Sequence, residues 1–171
     1  MFNKYIKLVI TSVIIVWAVM QFAAAHIMNG ISLVLLSGIF IFFYFKNEIL
    51  LLAFLRLRKQ DFAGAGKWLA RIKSPKSALI KTQEGYYYFL QGLMLSQTNI
   101  SQAEKLFKKA LTIGLSMNHD KAMAKLQLAG IAMTKRRKRE ATLLLAEAKK
   151  LDKHNMMAEQ VKLLKQQLKK I

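Results

Sequence analysis

From Leu8 to Phe45 the chain carries no Asp, Glu, Lys or Arg, and after that run apolar and polar positions alternate in helical blocks. A membrane pass takes ~20 apolar residues, so the uncharged run has the length of two passes. The polar interruption "HIMNG" (residues 26–30) is where a tight turn would fall. The pattern predicts a helical hairpin over about residues 6–25 and 28–45. A cleavable signal peptide is the competing reading, since Lys4 and Lys7 precede an apolar run that ends in Ala23, Ala24 and Ala25. The second apolar run, directly after it, argues for the hairpin. Tyr44, Phe45 and Lys46 are then expected at a headgroup belt, and Gly30, Ser37 and Gly38 are small enough for close helix contact.

Beyond residue 45 the chain matches itself at an offset of 38 residues. "DFAGAGKWLARI" (61–72), "NISQAEKLFKKA" (99–110) and "RKREATLLLAEA" (137–148) bring Ala65, Ala103 and Ala141 into line. Leu69, Phe107 and Leu145 align four residues on, and Ile72, Ala110 and Ala148 seven residues on. The same offset relates Gly92 to Gly130 and Leu90 to Leu128. Apolar residues at i, i+4 and i+7 form one helix face, and each block follows another apolar helical stretch. The predicted unit is a pair of helices. The first helices (A) cover about 46–58, 77–96 and 119–134, and the second (B) about 61–73, 100–114 and 138–151. A last helix, about 154–170, has Met157, Val161, Leu164 and Leu168 on one stripe and a polar opposite face, as a terminal cap requires.

These residues resemble the tetratricopeptide repeat (TPR) family. The small, bulky, small pattern of Ala103, Phe107, Ala110 and of Ala141, Leu145, Ala148 is similar to that family's B helix, with Ala65, Leu69, Ile72 a looser copy. The resemblance covers about residues 46–170; the period of 38 departs from the usual ~34. It implies a short TPR-like α-solenoid of about three helix pairs plus a capping helix (46–171), which, after the transmembrane hairpin that the apolar run predicts (1–45), gives an all-α protein. It further implies that A helices line a partner groove, with Tyr86, Phe89 and Leu93 in the second unit and Gln127 and Ile131 in the third. The plainer alternative is that these five are ordinary packing residues. Asn and Lys or Arg are missing from the mapped positions, so no carboxylate clamp is expected.

Composition changes this picture in one respect. The net charge is +19, and all but Lys4 and Lys7 of the 28 basic residues lie after position 45, together with all nine acidic ones. Such a field favours acidic proteins, phosphate polymers or anionic lipid headgroups, and many lysines are simply solvated helix faces. By the positive-inside rule the distribution places both termini in the cytoplasm. The expectation is an integral protein of a bacterial inner membrane. "TKRRKRE" (134–140) supplies Lys135, Arg136, Arg137, Lys138 and Arg139; the offset puts it in an A-to-B turn, and Arg56, Arg58 and Lys59 lie near the corresponding turn of the first unit.

The residues give no catalytic chemistry. There is no cysteine, the histidines His26, His119 and His154 have no second ligand at helical spacing, and "AGAG" lacks the Lys and Ser/Thr of a phosphate loop. No enzyme activity, metal, cofactor or small-molecule substrate is expected. Two functions follow. The first is a membrane-anchored scaffold that recruits protein partners, as in assembly of an envelope or secretion complex. The second is an electrostatic tether for RNA, a ribosome or anionic lipid; the basic run has no interleaved aromatics on which bases would stack.

Overall fold

The computed structural model describes residues 4–45 and 48–170. Among these the chain is all-α, with ten helices and no strand. It divides into two compact units that meet at Gln83 and Glu84. The boundary expected between residues 45 and 46, and the belt expected at Tyr44, Phe45 and Lys46, fall at side chains outside the described residues.

In the first unit α1 (Lys4–Ala23) and α2 (Ile27–Phe45) pack as a hairpin. The turn sits earlier than "HIMNG": Ala25 takes φ 60°, and the His26 and Ala25 amides donate to the carbonyls of Gln21 and Phe22. That is a Schellman closure, and it leaves Asn29 and Gly30 inside α2. Gly30 is small for another reason, since a β-carbon there would lie 2.7 Å from the Phe22 ring.

The expectation of an integral membrane protein with two passes is overturned. Among the described residues no helix is long and apolar enough to cross a membrane. Lys4 and Lys7 lie within α1, so its uncharged part is about 16 residues, or ~24 Å, against a hydrocarbon core of ~30 Å. The 19 residues of α2 reach ~28 Å and include Asn29 in the first turn. The inner-membrane placement and its orientation fall with the spans.

The remaining helices of the first unit are α3 (Glu48–Arg58), α4 (Phe62–Ala70), the one-turn α5 (Pro75–Ala78) and the start of α6 (Lys81–Leu95). Leu50, Ala53, Ala65 and Leu69 are buried where α3 packs on α4. Helix A of the second pair was expected to begin near 77. Leu79 is instead extended and 2% exposed, so Pro75 starts a separate turn and α6 begins at Lys81.

The second unit adds α7 (Ile100–Ile113), α8 (Asn118–Thr134), α9 (Lys138–Leu151) and α10 (Ala158–Leu168). Asn99 caps α7 by accepting the Gln102 amide at 3.0 Å, and Gly114 ends it at φ 115°, a conformation glycine adopts without penalty. The face of α7 carrying Ala103, Phe107 and Ala110 is fully buried. Phe107 lies edge-on to Phe89 of α6, and its ring fills the space that a β-carbon at Gly92 would enter at 2.8 Å. Helix α8 is buried on two sides because Ala122, Ala124, Ala129 and Ala132 let neighbours approach, and α9 contributes Ala141, Leu145 and Ala148 to the same core. Asp152 accepts the amides of Met156 (3.1 Å) and Met157 (2.7 Å), which turns the chain into α10. Met157, Val161 and Leu168 then cover the core beside Leu164.

The 38-residue offset is visible in the backbone. The N-caps of α4, α7 and α9 are Asp61, Asn99 and Arg137, and the three aligned alanines are all 0% exposed. The turns before α4 and α9 are closed by the same pair of bonds: the Asp61 and Gln60 amides donate to Arg56 and Leu57, the Arg137 and Arg136 amides to Ala132 and Met133. Gln60 and Arg136 both stand at positive φ, 62° and 57°.

Candidate functional site

Two features of the second unit stand out: a groove and a charged turn. The groove has a volume of about 550 Å³ and lies between the C-terminal halves of α8 and α10. Gln127, Gly130, Ile131 and Thr134 line it from α8, with Leu164 and Gln167 opposite and Ser96 and Ile100 at one end. A β-carbon added at Gly130 would meet nothing within 4 Å, so this glycine keeps the groove floor open. The lining mixes amide and hydroxyl groups with Ile and Leu side chains. Such a surface suits an amphipathic peptide, whose apolar side chains desolvate while its polar edges stay paired.

The five residues expected to form a partner groove do not share one patch. Gln127 and Ile131 line the groove just described. Leu93 is half-buried on α6. Tyr86 lies nine residues, ~14 Å, along α6 from Leu95, which precedes the groove residue Ser96, and is held by its hydroxyl, which donates to Asp120 at 2.5 Å and accepts from the Met117 amide at 3.4 Å. Burial, and then the bond to Asp120, push its phenol up to about 12. Phe89 needs correction as a groove residue: it is 2% exposed and packs on Phe107. Tyr87 and Tyr88 are also buried, Tyr88 beneath the Lys109 ammonium at 3.8 Å, because α6 is covered nearly all round.

"TKRRKRE" is divided by its own backbone. The positive φ of Arg136 turns the residues on either side of it back toward α7. The Lys135 Nζ donates to Glu104 Oε2 at 2.7 Å and to Ser101 Oγ at 3.1 Å, and the Arg137 guanidinium donates to Glu104 Oε1 at 2.9 Å. Lys108 reaches the same carboxylate at 2.7 Å, and Glu140 closes the group at 3.4 Å from Lys108 and 3.3 Å from Arg137. Arg136, Lys138 and Arg139 remain exposed.

Glu104, with 11% of its side chain exposed, is the centre of this group. The hydrogen bonds from Lys108, then Lys135 and Arg137, hold its carboxyl down to about 2, against the cost of desolvation. The same contacts raise Lys108 and Arg137. A nearly buried carboxylate that accepts from three cations, two on Oε1 and one on Oε2, is a structural clamp. Glu104 was missed in the sequence, although it stands one residue after the buried Ala103 and four before Lys108.

Arg56, Arg58 and Lys59 lie in the first unit, where Arg56 pairs with Asp61 at 2.9 Å and all three are exposed. Asp61 is itself held below the usual carboxylate range by the Gly64 amide and then by Arg56. Among the described residues no group of His, Cys, Asp or Glu is placed to hold a metal. Comparison of the chain with family models, with curated proteins and with solved structures returns no match.

Proposed function

We propose that residues 48–170 act as a TPR-like helical-repeat scaffold that recruits a protein partner, with the groove between α8 and α10 as its docking site. The observation that carries the reading is Gly130. Its counterpart one repeat earlier, Gly92, is filled by the Phe107 ring at 2.8 Å, whereas Gly130 faces open space among groove residues. The repeat therefore has a vacancy where its previous copy has a core side chain. A peptide segment that inserts one apolar residue against Gly130 and Ile131, and pairs its edges with Gln127 and Gln167, completes the packing. This is recognition by shape and apolar contact, with orientation fixed by a few amides.

The test uses a photo-crosslinking residue in place of Gln127 in the full chain, expressed in its own cells. The expected result is a discrete crosslinked partner that disappears when Gly130→Leu fills the groove, with helical content unchanged. An undiminished crosslink in Gly130→Leu overturns the reading.

A further inference from the structure

Most acidic side chains of the second unit are occupied internally. Glu104 and Glu140 serve the turn network, Glu147 pairs with Lys125, Asp120 takes the Tyr86 hydroxyl, and Asp152 takes two backbone amides. The cations left over face solvent, and they are not evenly spread. A second groove, also about 550 Å³, runs between the end of α9 and the outer face of α10. Lys149 borders it from α9, Lys162 and Lys165 from α10, and Lys169 from the C-cap of α10. All four are exposed and none has an ion-pair partner among the described residues. The one acid in the lining is Asp152, whose two oxygens already accept amides at 3.1 and 2.7 Å. The cleft thus presents four uncompensated ammonium groups and no available carboxylate.

We infer that this lysine-lined groove binds an acidic helical segment of a protein partner, at a site separate from the groove beside Gly130. Lys162, Lys165 and the C-cap Lys169, whose backbone is still helical, stand at i, i+3 and i+7, a stripe of ~10 Å with the rise of a helix. Carboxylates at i, i+3 and i+7 on a partner helix laid alongside reproduce that spacing. The lysine stems and the edge of Val161 supply an apolar floor on which such a helix packs. A single-stranded nucleic acid fits less well. The lining has no aromatic ring and no arginine, so bases would have nothing to stack on.

The test is fluorescence anisotropy on the full chain with a labelled helical peptide of about 15 residues carrying Glu at i, i+3 and i+7 on one face. Controls are a peptide of the same composition with its Glu spread around the helix, and a polyuridine strand. Reversal of the groove, Lys162→Glu with Lys165→Glu and Lys169→Glu, is expected to weaken the striped peptide at least about tenfold. Reversal of the exposed turn, Arg136→Glu with Lys138→Glu and Arg139→Glu, adds the same negative charge elsewhere and is expected to cost less than about twofold. Should the groove reversal lose helical content, the corresponding Lys→Gln triple takes its place, and it too is expected to weaken binding. Gly130→Leu is expected to leave this binding intact, which separates the result from the fate of the scaffold reading. Equal losses from both triples, equal affinity for the spread peptide, tighter groove-dependent binding of polyuridine, or no binding at all would each overturn the proposal.

Discussion

In the second helix pair, position 99 is an asparagine that caps its own helix; in the third, the equivalent position 137 is an arginine that caps nothing and reaches back to Glu104. Likewise Phe107 fills the second pair up to Gly92, while Leu145 leaves Gly130 uncovered. The two pairs share a backbone frame, with alanines at the same three-dimensional role and N-caps 38 residues apart. What differs is the direction of the interactions. The second pair fills its own glycine with a ring, whereas the third reaches back to Glu104 of the second through its turn and keeps one face open.

The sharpest way to break the comparison is at the bulky B-helix position. Phe107→Ala is expected to destabilise by about 3–5 kcal/mol, because it removes a fully buried ring and opens the cavity between Phe89 and Gly92. Leu145→Ala is expected to cost less, about 2–4 kcal/mol. Urea unfolding monitored by circular dichroism gives both values, and the reverse order would contradict the assignment of Phe107 as the better-packed copy.

Next in size is the charge tie. Glu104→Gln leaves Lys108, Lys135 and Arg137 facing one another without their shared carboxylate, at an expected cost of roughly 1–3 kcal/mol. Because the Glu104 carboxyl is lowered to about 2 in the folded chain, its contribution is complete above the unfolded value of ~4.3 and is lost as pH falls from there through 2. Stability measured between pH 6 and 2.5 should fall more steeply for the native chain than for Glu104→Gln. Parallel pH profiles would remove the clamp from the account.

The smallest effects separate the two glycines. Gly92→Ala drives a methyl into the fully buried Phe107 ring and is expected to cost about 1–2 kcal/mol, despite alanine's better helix propensity. At Gly130 the added methyl meets nothing, so Gly130→Ala is expected to gain about 0.5–1 kcal/mol. A thermal unfolding midpoint that fell for Gly130→Ala as it does for Gly92→Ala would show that the groove floor is closed.

Most of the helical frame was legible from periodicity alone. The hairpin helices, the B helices and the last amphipathic helix fall within a few residues of the pattern, because each needs only a local apolar stripe. The errors have particular causes. "HIMNG" looked like the turn because Asn and Gly favour turns, but Ala25 adopts the left-handed conformation and Gly30 is claimed by Phe22. An uncharged run long enough for two spans gave helices whose apolar parts fall short of one. For Phe89 the groove and the plainer packing reading stood side by side, because helix phase alone does not say how many neighbours surround α6. Glu104 escaped notice because two of its three cationic partners are 31 and 33 residues away, a distance that only the folded pair closes.

The alternation within "TKRRKRE" has a practical corollary for charge scanning. Lys135 and Arg137 belong to folding, and Arg136, Lys138 and Arg139 to the surface field. A block substitution of all five would therefore report a mixture of two phenotypes with no common cause. Split into its two interleaved sets, the same five-residue stretch becomes an internal control, in which neighbouring charges of one sign distinguish loss of architecture from loss of long-range attraction.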